Sequence, residues 1–229
     1  MTRLILLFSL AACGRPVQHV SFAPPSPTRV DLDAPGPFTH DAVISARWSV
    51  PLHGLVDLDD PKAASLEDGP TPIVLPVDVL THPTAGSFVV DTGMPAARWP
   101  IRGPLFSTFA ADIQTIEPLA AILEGLQVSG VLLTHNHLDH VLGLVDVADD
   151  VPVHLGAGDE VPPSQLVARQ MFPTFRRAMH GKTAHLWDFD GPDALDLEGI
   201  PAIDVLGDGS LFALDAHGHT PGSTAYLAR

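Results

Sequence analysis

The segment VLLTHNHLDHVLG, residues 131–143, decides how the rest of the chain is read. Val131, Leu132 and Leu133 form a short apolar run of the kind that makes a buried strand. The run ends in a polar knot of His135, His137, Asp139 and His140. Side chains two apart on an extended backbone point the same way, so His135 and His137 reach one point just beyond the strand. Asp139 and His140 face a neighbouring point, where the chain turns into its next element. A lone histidine is ordinarily structural. Packing has no use for this cluster, however, and burying such groups unpaired costs free energy. Imidazoles mixed with a carboxylate suit zinc and metals like it better than calcium or magnesium.

Composition sets the frame around that knot. A chain of 229 residues holds one sizeable domain, or one domain with appendages. Hydrophobic content of 45% implies a packed core rather than disorder. After the first dozen residues no apolar run approaches the ~20 needed to span a bilayer. The net charge is −15, with only 12 Lys and Arg. Nucleic-acid affinity comes mostly from such cations neutralising phosphates, so no nucleic-acid partner is expected. A single cysteine excludes an intrachain disulfide and a Cys-rich zinc finger.

That cysteine is informative by position. Residues 1–12 read MTRLILLFSLAA, one basic residue and an apolar stretch, with small residues just before Cys13. The pattern resembles a bacterial lipoprotein signal, in which LAAC is the lipobox and Cys13 becomes the acylated first residue. A short ordinary signal peptide and a buried N-terminal strand are the competing readings. The resemblance implies two or three acyl chains, enough for stable membrane attachment, and a lipid-anchored place in the cell envelope, at the periplasmic face or the cell surface. Residues 13–40 carry Pro16, Pro24, Pro25, Pro27, Pro35 and Pro37 and read as a semi-rigid tether. The expected division is therefore a signal at 1–12, a tether at 13–40 and one domain at 41–229.

Within the domain, AVISARWSVPL is a plausible strand. IVLPVDVL (73–80) and SFVVDTG (87–93) suggest a hairpin around a Gly-containing loop. Residues 112–126, DIQTIEPLAAILEGL, place apolar residues at helical spacing, with Asp112 as N-cap unless Pro118 moves the start. VPVHL (151–155) reads as a buried strand whose His154 is packed rather than a ligand. The stretch SQLVARQMFPTFRRAMHGK reads as two short helices broken at Pro173, either a lid over an apolar substrate or a pair packed on the core. Its cations Arg169, Arg176, Arg177 and Lys182 either meet an anionic group or line a solvated face, and His180 and His185 are structural. IPAIDVL, a Gly-Asp-Gly turn and SLFALDA form a second hairpin leading to HGHTPGS, 217–223. Alternating helices and strands make the class α/β.

The spacing HxHxDH, with a strand ending in DTG before it and a GHTPG loop after it, resembles the metallo-β-lactamase superfamily. The resemblance implies an αββα sandwich, with His135, His137 and His219 on a first metal and Asp139 and His140 on a second. Asp91 then supports the site from behind, or alternatively only caps its strand. Proline is common in the family where His217 stands, which favours His219 over His217 as the ligand. The family's bridging aspartate and last histidine have no counterpart here: nothing after Asp215 is acidic, and nothing after His219 is an imidazole. A C-terminally truncated sequence, a one-metal enzyme and a degenerate relative would each explain that. A chain stopping on the strand STAYLAR favours truncation, with two ions in the intact protein.

The implied chemistry is metal-assisted hydrolysis of a small-molecule carbonyl compound. Zinc lowers the pKa of bound water toward ~7, and Asp139 orients the resulting hydroxide; iron or manganese could replace zinc. DTGMP is similar to acyl-homoserine lactonases and favours an ester or lactone. An envelope β-lactamase or thioester hydrolase of the same fold is the alternative. A non-catalytic lipoprotein that binds a ligand or a partner is the alternative from another class.

Overall fold

The computed structural model describes residues 34–97, 112–161 and 166–229, the side chains of 166–171 aside. Cys13, the expected signal at 1–12 and most of the expected tether lie outside them. In chain order the elements are β1 (Thr39–Pro51), β2 (Pro70–His82), β3 (Gly86–Val90) and β4 (Gln114–Thr115). Next come α1 (Leu119–Ile122), β5 (Val128–Leu132), α2 (Leu138–Val141) and β6 (Val153–Gly156). The series ends with α3 (Leu166–Ala178), β7 (Ala184–Trp187), β8 (Leu195–Leu197), β9 (Ile200–Asp204), β10 (Leu211–Asp215) and β11 (Thr224–Ala228). The strands form a seven-stranded sheet, β4-β1-β2-β3-β5-β6-β7, and a four-stranded sheet, β11-β10-β9-β8.

The period of two along each strand divides the core. Val79, Val89, Val131, Val153, Leu155 and Leu186 point to one face of the large sheet, where α1, α2 and α3 bring Leu119, Leu138, Val141, Phe172 and Phe175. Their strand neighbours Leu80, Phe88, Leu132 and Trp187 point to the other face and meet Ile203, Leu211 and Ala213 of the small sheet. Strands buried on both sides need continuous apolar runs, which is why 131–133 carries no alternation. Three layers follow among the described residues: helices, large sheet, small sheet. This is a mixed α/β sandwich of the expected class.

Both expected hairpins form, β2–β3 and β9–β10, and both are antiparallel. β1 pairs with β2 from Thr39↔Thr81 to Pro51↔Pro70, with a bulge between Ile44 and Ala46. The bulge turns Ser45 inward, where its hydroxyl donates to Glu117 O and accepts from Met94 N. β1 begins at Thr39, and Phe38 before it already packs against Phe88.

Two sequence expectations require correction. Residues 112–126 are not one helix: Gln114 and Thr115 pair with Arg47 and Ala46 at the sheet edge, and α1 spans only Leu119–Ile122. The N-cap of α1 is Pro118, not Asp112, which instead accepts from Trp48 Nε1. Proline disfavours helix at the residue before it, so Pro118 starts α1 with extended backbone (φ −71°, ψ 153°). The second correction concerns Pro173, which lies inside α3 and does not divide it in two. Phe172 and Phe175 are buried in the helix-side core, which matches the packed reading of this segment. Of its cations, the side chain of Arg169 lies outside the described ones; Arg176 and Arg177 are exposed, whereas Lys182 is buried and donates to Val147 O.

Candidate metal centre

Strands β3, β5 and β6 run parallel, so the residues that follow them gather at one edge of the sheet. Carboxyl ends of parallel strands are where α/β sheets open their crevices. Asp91 follows β3, and Thr134 to His140 follow β5. The loop after β10 brings His219 to the same place, and Thr224 N donates to Thr134 O to fasten the two loops (2.8 Å).

His135, His137 and His219 converge, each offering one ring nitrogen, with all three nitrogens within 4.8 Å of one another. His219 Nε2 lies 3.0 Å from His137 Nδ1, across 82 residues of chain. Burial, then the neighbouring imidazoles, pushes His135 down to about 2 and His137 in the same direction. Both are therefore neutral at pH 7 and keep a lone pair for a metal. Three imidazoles on one point suit zinc and similar ions, and three protein ligands with an open position mark catalytic rather than structural zinc sites. The residues present fit such an ion.

The tautomers follow from one hydroxyl. Thr134 Oγ1 donates its only proton to Asp91 Oδ2 (2.8 Å) and can only accept from His135 Nδ1 (3.0 Å). The proton of His135 thus sits on Nδ1, and Nε2 carries the lone pair. His140 Nδ1 donates to Asp91 Oδ2 (2.7 Å), which leaves its Nε2 3.4 Å from Asp139 Oδ2. Asp139 and His140 thus face each other beside the triad, the His140 ring 4.1 Å from that of His135. Burial works against the charge on both. The hydrogen bond and charge of His140 outweigh it and hold Asp139 near about 2, while bonds to Asp139 and Asp91 lift His140 to about 10.

Asp91 is buried and accepts from Thr134 N, Thr134 Oγ1 and His140 Nδ1. It does so at φ 57°, a left-handed conformation that few non-glycine residues adopt. The next residue, Thr92, donates to His140 O through both its N–H and its hydroxyl. The DTG turn therefore supports the knot through two adjacent side chains. His217 is exposed, bonded to Asp215 at 2.8 and 2.9 Å, and outside the triad. His154 and His185 lie on the inter-sheet face, His154 stacked on Trp187.

Two supporting residues escaped the sequence reading. Thr134 sits in full view inside the motif, but its role needs the distance to Asp91. Asp159, fully buried, accepts from Asn136 N, Thr220 Oγ1 and Gly222 N, and so bonds to both histidine loops. No spacing signal marks it. The His219 loop also touches the end of β6 backbone to backbone: a Cβ on Gly156 would strike Gly222 O, and one on Gly222 would strike Gly156 O.

The geometry agrees with what known proteins share with this chain. Residues 79–227 match the family model of the metallo-beta-lactamase superfamily. A curated relative, gamma-lactamase FDB1 of Fusarium pseudograminearum, is 30% identical over 128 residues, 53% of this chain. The match spans only 30% of that relative's length. Among solved structures, a "probable metal-dependent hydrolase" from Staphylococcus aureus aligns with a TM-score of 0.60 at 12% identity, over 85% of this chain and 69% of the other. AidC, a dizinc quorum-quenching lactonase, aligns with a TM-score of 0.51 at 14% identity, over 85% of this chain and 68% of its own. At such identities the structures speak for the fold alone; the family match covers well over half of the chain and includes every residue of the triad. The chain belongs to the metallo-β-lactamase superfamily, a family of metal-dependent hydrolases.

Proposed function

We propose that this protein is a zinc-dependent hydrolase of ester or lactone bonds in small molecules. The observation that carries the reading is the meeting of His135, His137 and His219 from two distant loops at the open edge of the sheet. Those three side chains would hold one ion, with Asp139 and His140 beside it for a second. A bound ion supplies a Lewis acid and a water acidic enough to lose its proton near neutral pH. The chain's own residues do the rest. Thr134 keeps the proton of His135 on Nδ1, and Asp91 holds the Nδ1–H of His140, whose Nε2 would give up its proton to take an ion; the Asp139 carboxylate, held ionised, accepts a hydrogen bond from the attacking water and orients it. No side-chain nucleophile is needed.

The likeness of DTGMP to lactonases, and the fold shared with AidC, favour a lactone. The relative named a gamma-lactamase supports a cyclic amide as the second substrate class. The test is a hydrolysis screen of an acyl-homoserine lactone, a γ-lactam, a carbapenem and S-lactoylglutathione, before and after chelation. Lactone cleavage lost on chelation and restored by zinc is the expected result. Cleavage that survives in a His135→Ala, His137→Ala double variant overturns the reading. Lipid attachment at Cys13, and with it an envelope location, is proposed on the N-terminal sequence. A Cys13→Ser variant should move from the detergent phase to the aqueous phase on partitioning, and equal partitioning contradicts the anchor.

A further inference from the structure

Deepening the proposed function, and resting on it for its metal, we infer that Asp159 is the positioning residue that sets the spacing between His137 and His219. The two imidazoles come from loops with no covalent reason to stay in register. One carboxylate bridges them. Its Oδ2 accepts from Asn136 N (3.0 Å), the residue between His135 and His137, and from Thr220 Oγ1 (2.9 Å), the residue after His219. Its Oδ1 accepts from Gly222 N (2.9 Å), three residues past His219. The backbone joins in, as Asp159 O accepts from Asn136 Nδ2 (2.7 Å). Thr220 is itself locked by Ser223, whose hydroxyl accepts from Thr220 N (2.9 Å).

The arrangement goes beyond ordinary loop packing in two respects. A carboxylate is acceptor-only, and here its two oxygens serve three donors, Oδ2 taking two and Oδ1 the third. Every donor lies within three residues of a triad histidine, and they belong to both loops. Partners of this kind, which orient metal ligands without touching the metal, typically change metal affinity 10–100-fold when removed. Asp204 offers an internal comparison. It is also buried and accepts from two backbone N–H groups, Gly207 and Gly209, but in the turn between β9 and β10.

The test compares Asp159→Asn with Asp204→Asn in the full chain. Asparagine keeps the shape but turns an NH2 group toward at least one donor. Zinc affinity is read by competition with a chromophoric chelator, and coordination geometry by the visible spectrum of the cobalt(II)-loaded protein. Asp159→Asn should weaken zinc 10–100-fold and alter the cobalt bands, whereas Asp204→Asn should leave both unchanged while lowering thermal stability. If Asp159→Asn does not fold, Thr220→Val removes one of the three bonds and should weaken zinc severalfold. Zinc affinity within twofold of wild type and an identical cobalt spectrum in these Asp159-contact variants would overturn the inference. A wild type that binds zinc but cleaves no carbonyl substrate sinks the proposed function and leaves this inference standing.

Discussion

Replacing Asp91 by Asn probes the support beneath the metal centre with little other disturbance. Asn tolerates the left-handed backbone that Asp91 adopts at φ 57°, so the change falls on the side chain's hydrogen bonds and charge rather than on the backbone. Asp91 accepts three bonds of 2.7–2.8 Å in a buried position. Bonds to a charged group contribute about 1.5–3 kcal/mol each. Asn keeps one acceptor oxygen, so one or two of the three bonds are lost and the charge facing His140 disappears. A loss of about 2–4 kcal/mol in unfolding free energy is expected for the metal-free protein, and zinc affinity should fall about 10–100-fold. Urea unfolding of the metal-free protein gives the first number, chelator competition the second. A stability change below about 0.5 kcal/mol, the range of an ordinary surface substitution, together with unaltered zinc binding, would refute the role assigned to Asp91.

Other consequences can be checked on the same preparations. Burial, then the neighbouring His185, holds His154 at about 3, against ~6.5 in the unfolded chain. The unfolded state therefore binds the extra proton between those values, and the stability is fully present above pH 6.5 and lost as pH falls. From pH 7.5 to 5.0 the loss is about 2 kcal/mol. His154→Phe should flatten the pH dependence by that amount, and an unchanged slope would contradict it. Gly222→Ala should cost about 1–3 kcal/mol by forcing a methyl against the Gly156 carbonyl and should weaken zinc. Gly54→Ala, where nothing lies within 4 Å, is the control and should do neither; equal effects in unfolding and zinc titrations would contradict the close approach. Tyr226→Phe removes the hydroxyl that donates to Leu133 O and accepts from Trp187 Nε1, so denaturant unfolding should report a loss of about 1–3 kcal/mol.

The metal knot is legible in the sequence because its chemistry is local: His135 and His137 need only a strand's period of two to share a direction. His219 is legible only through resemblance, since no rule of spacing brings a residue 82 positions away to the same point. The hairpins are legible because Ala85-Gly86 and Gly207-Asp208-Gly209 supply the turns. Residues 112–126 mislead because their apolar spacing fits a helix equally well as an edge strand, a turn and a single helical turn. The pairing of Gln114 and Thr115 with β1 decides between them, and that contact is not local. Pro173 misleads in the opposite direction, because packing of Phe172 and Phe175 sustains the helix around it. Asp159 is invisible for a simpler reason: its meaning lies in three donors from two other loops.

Zinc titration of the wild type beside His137→Ala and His219→Ala variants, with bound metal counted by elemental analysis after gel filtration, reaches the central claim most directly. The wild type should retain zinc through filtration, and each single substitution should release it, although the two residues belong to loops 82 positions apart. Retention of a full zinc complement by His219→Ala would show that the loop after β10 contributes no ligand, and the three-imidazole centre would be wrong.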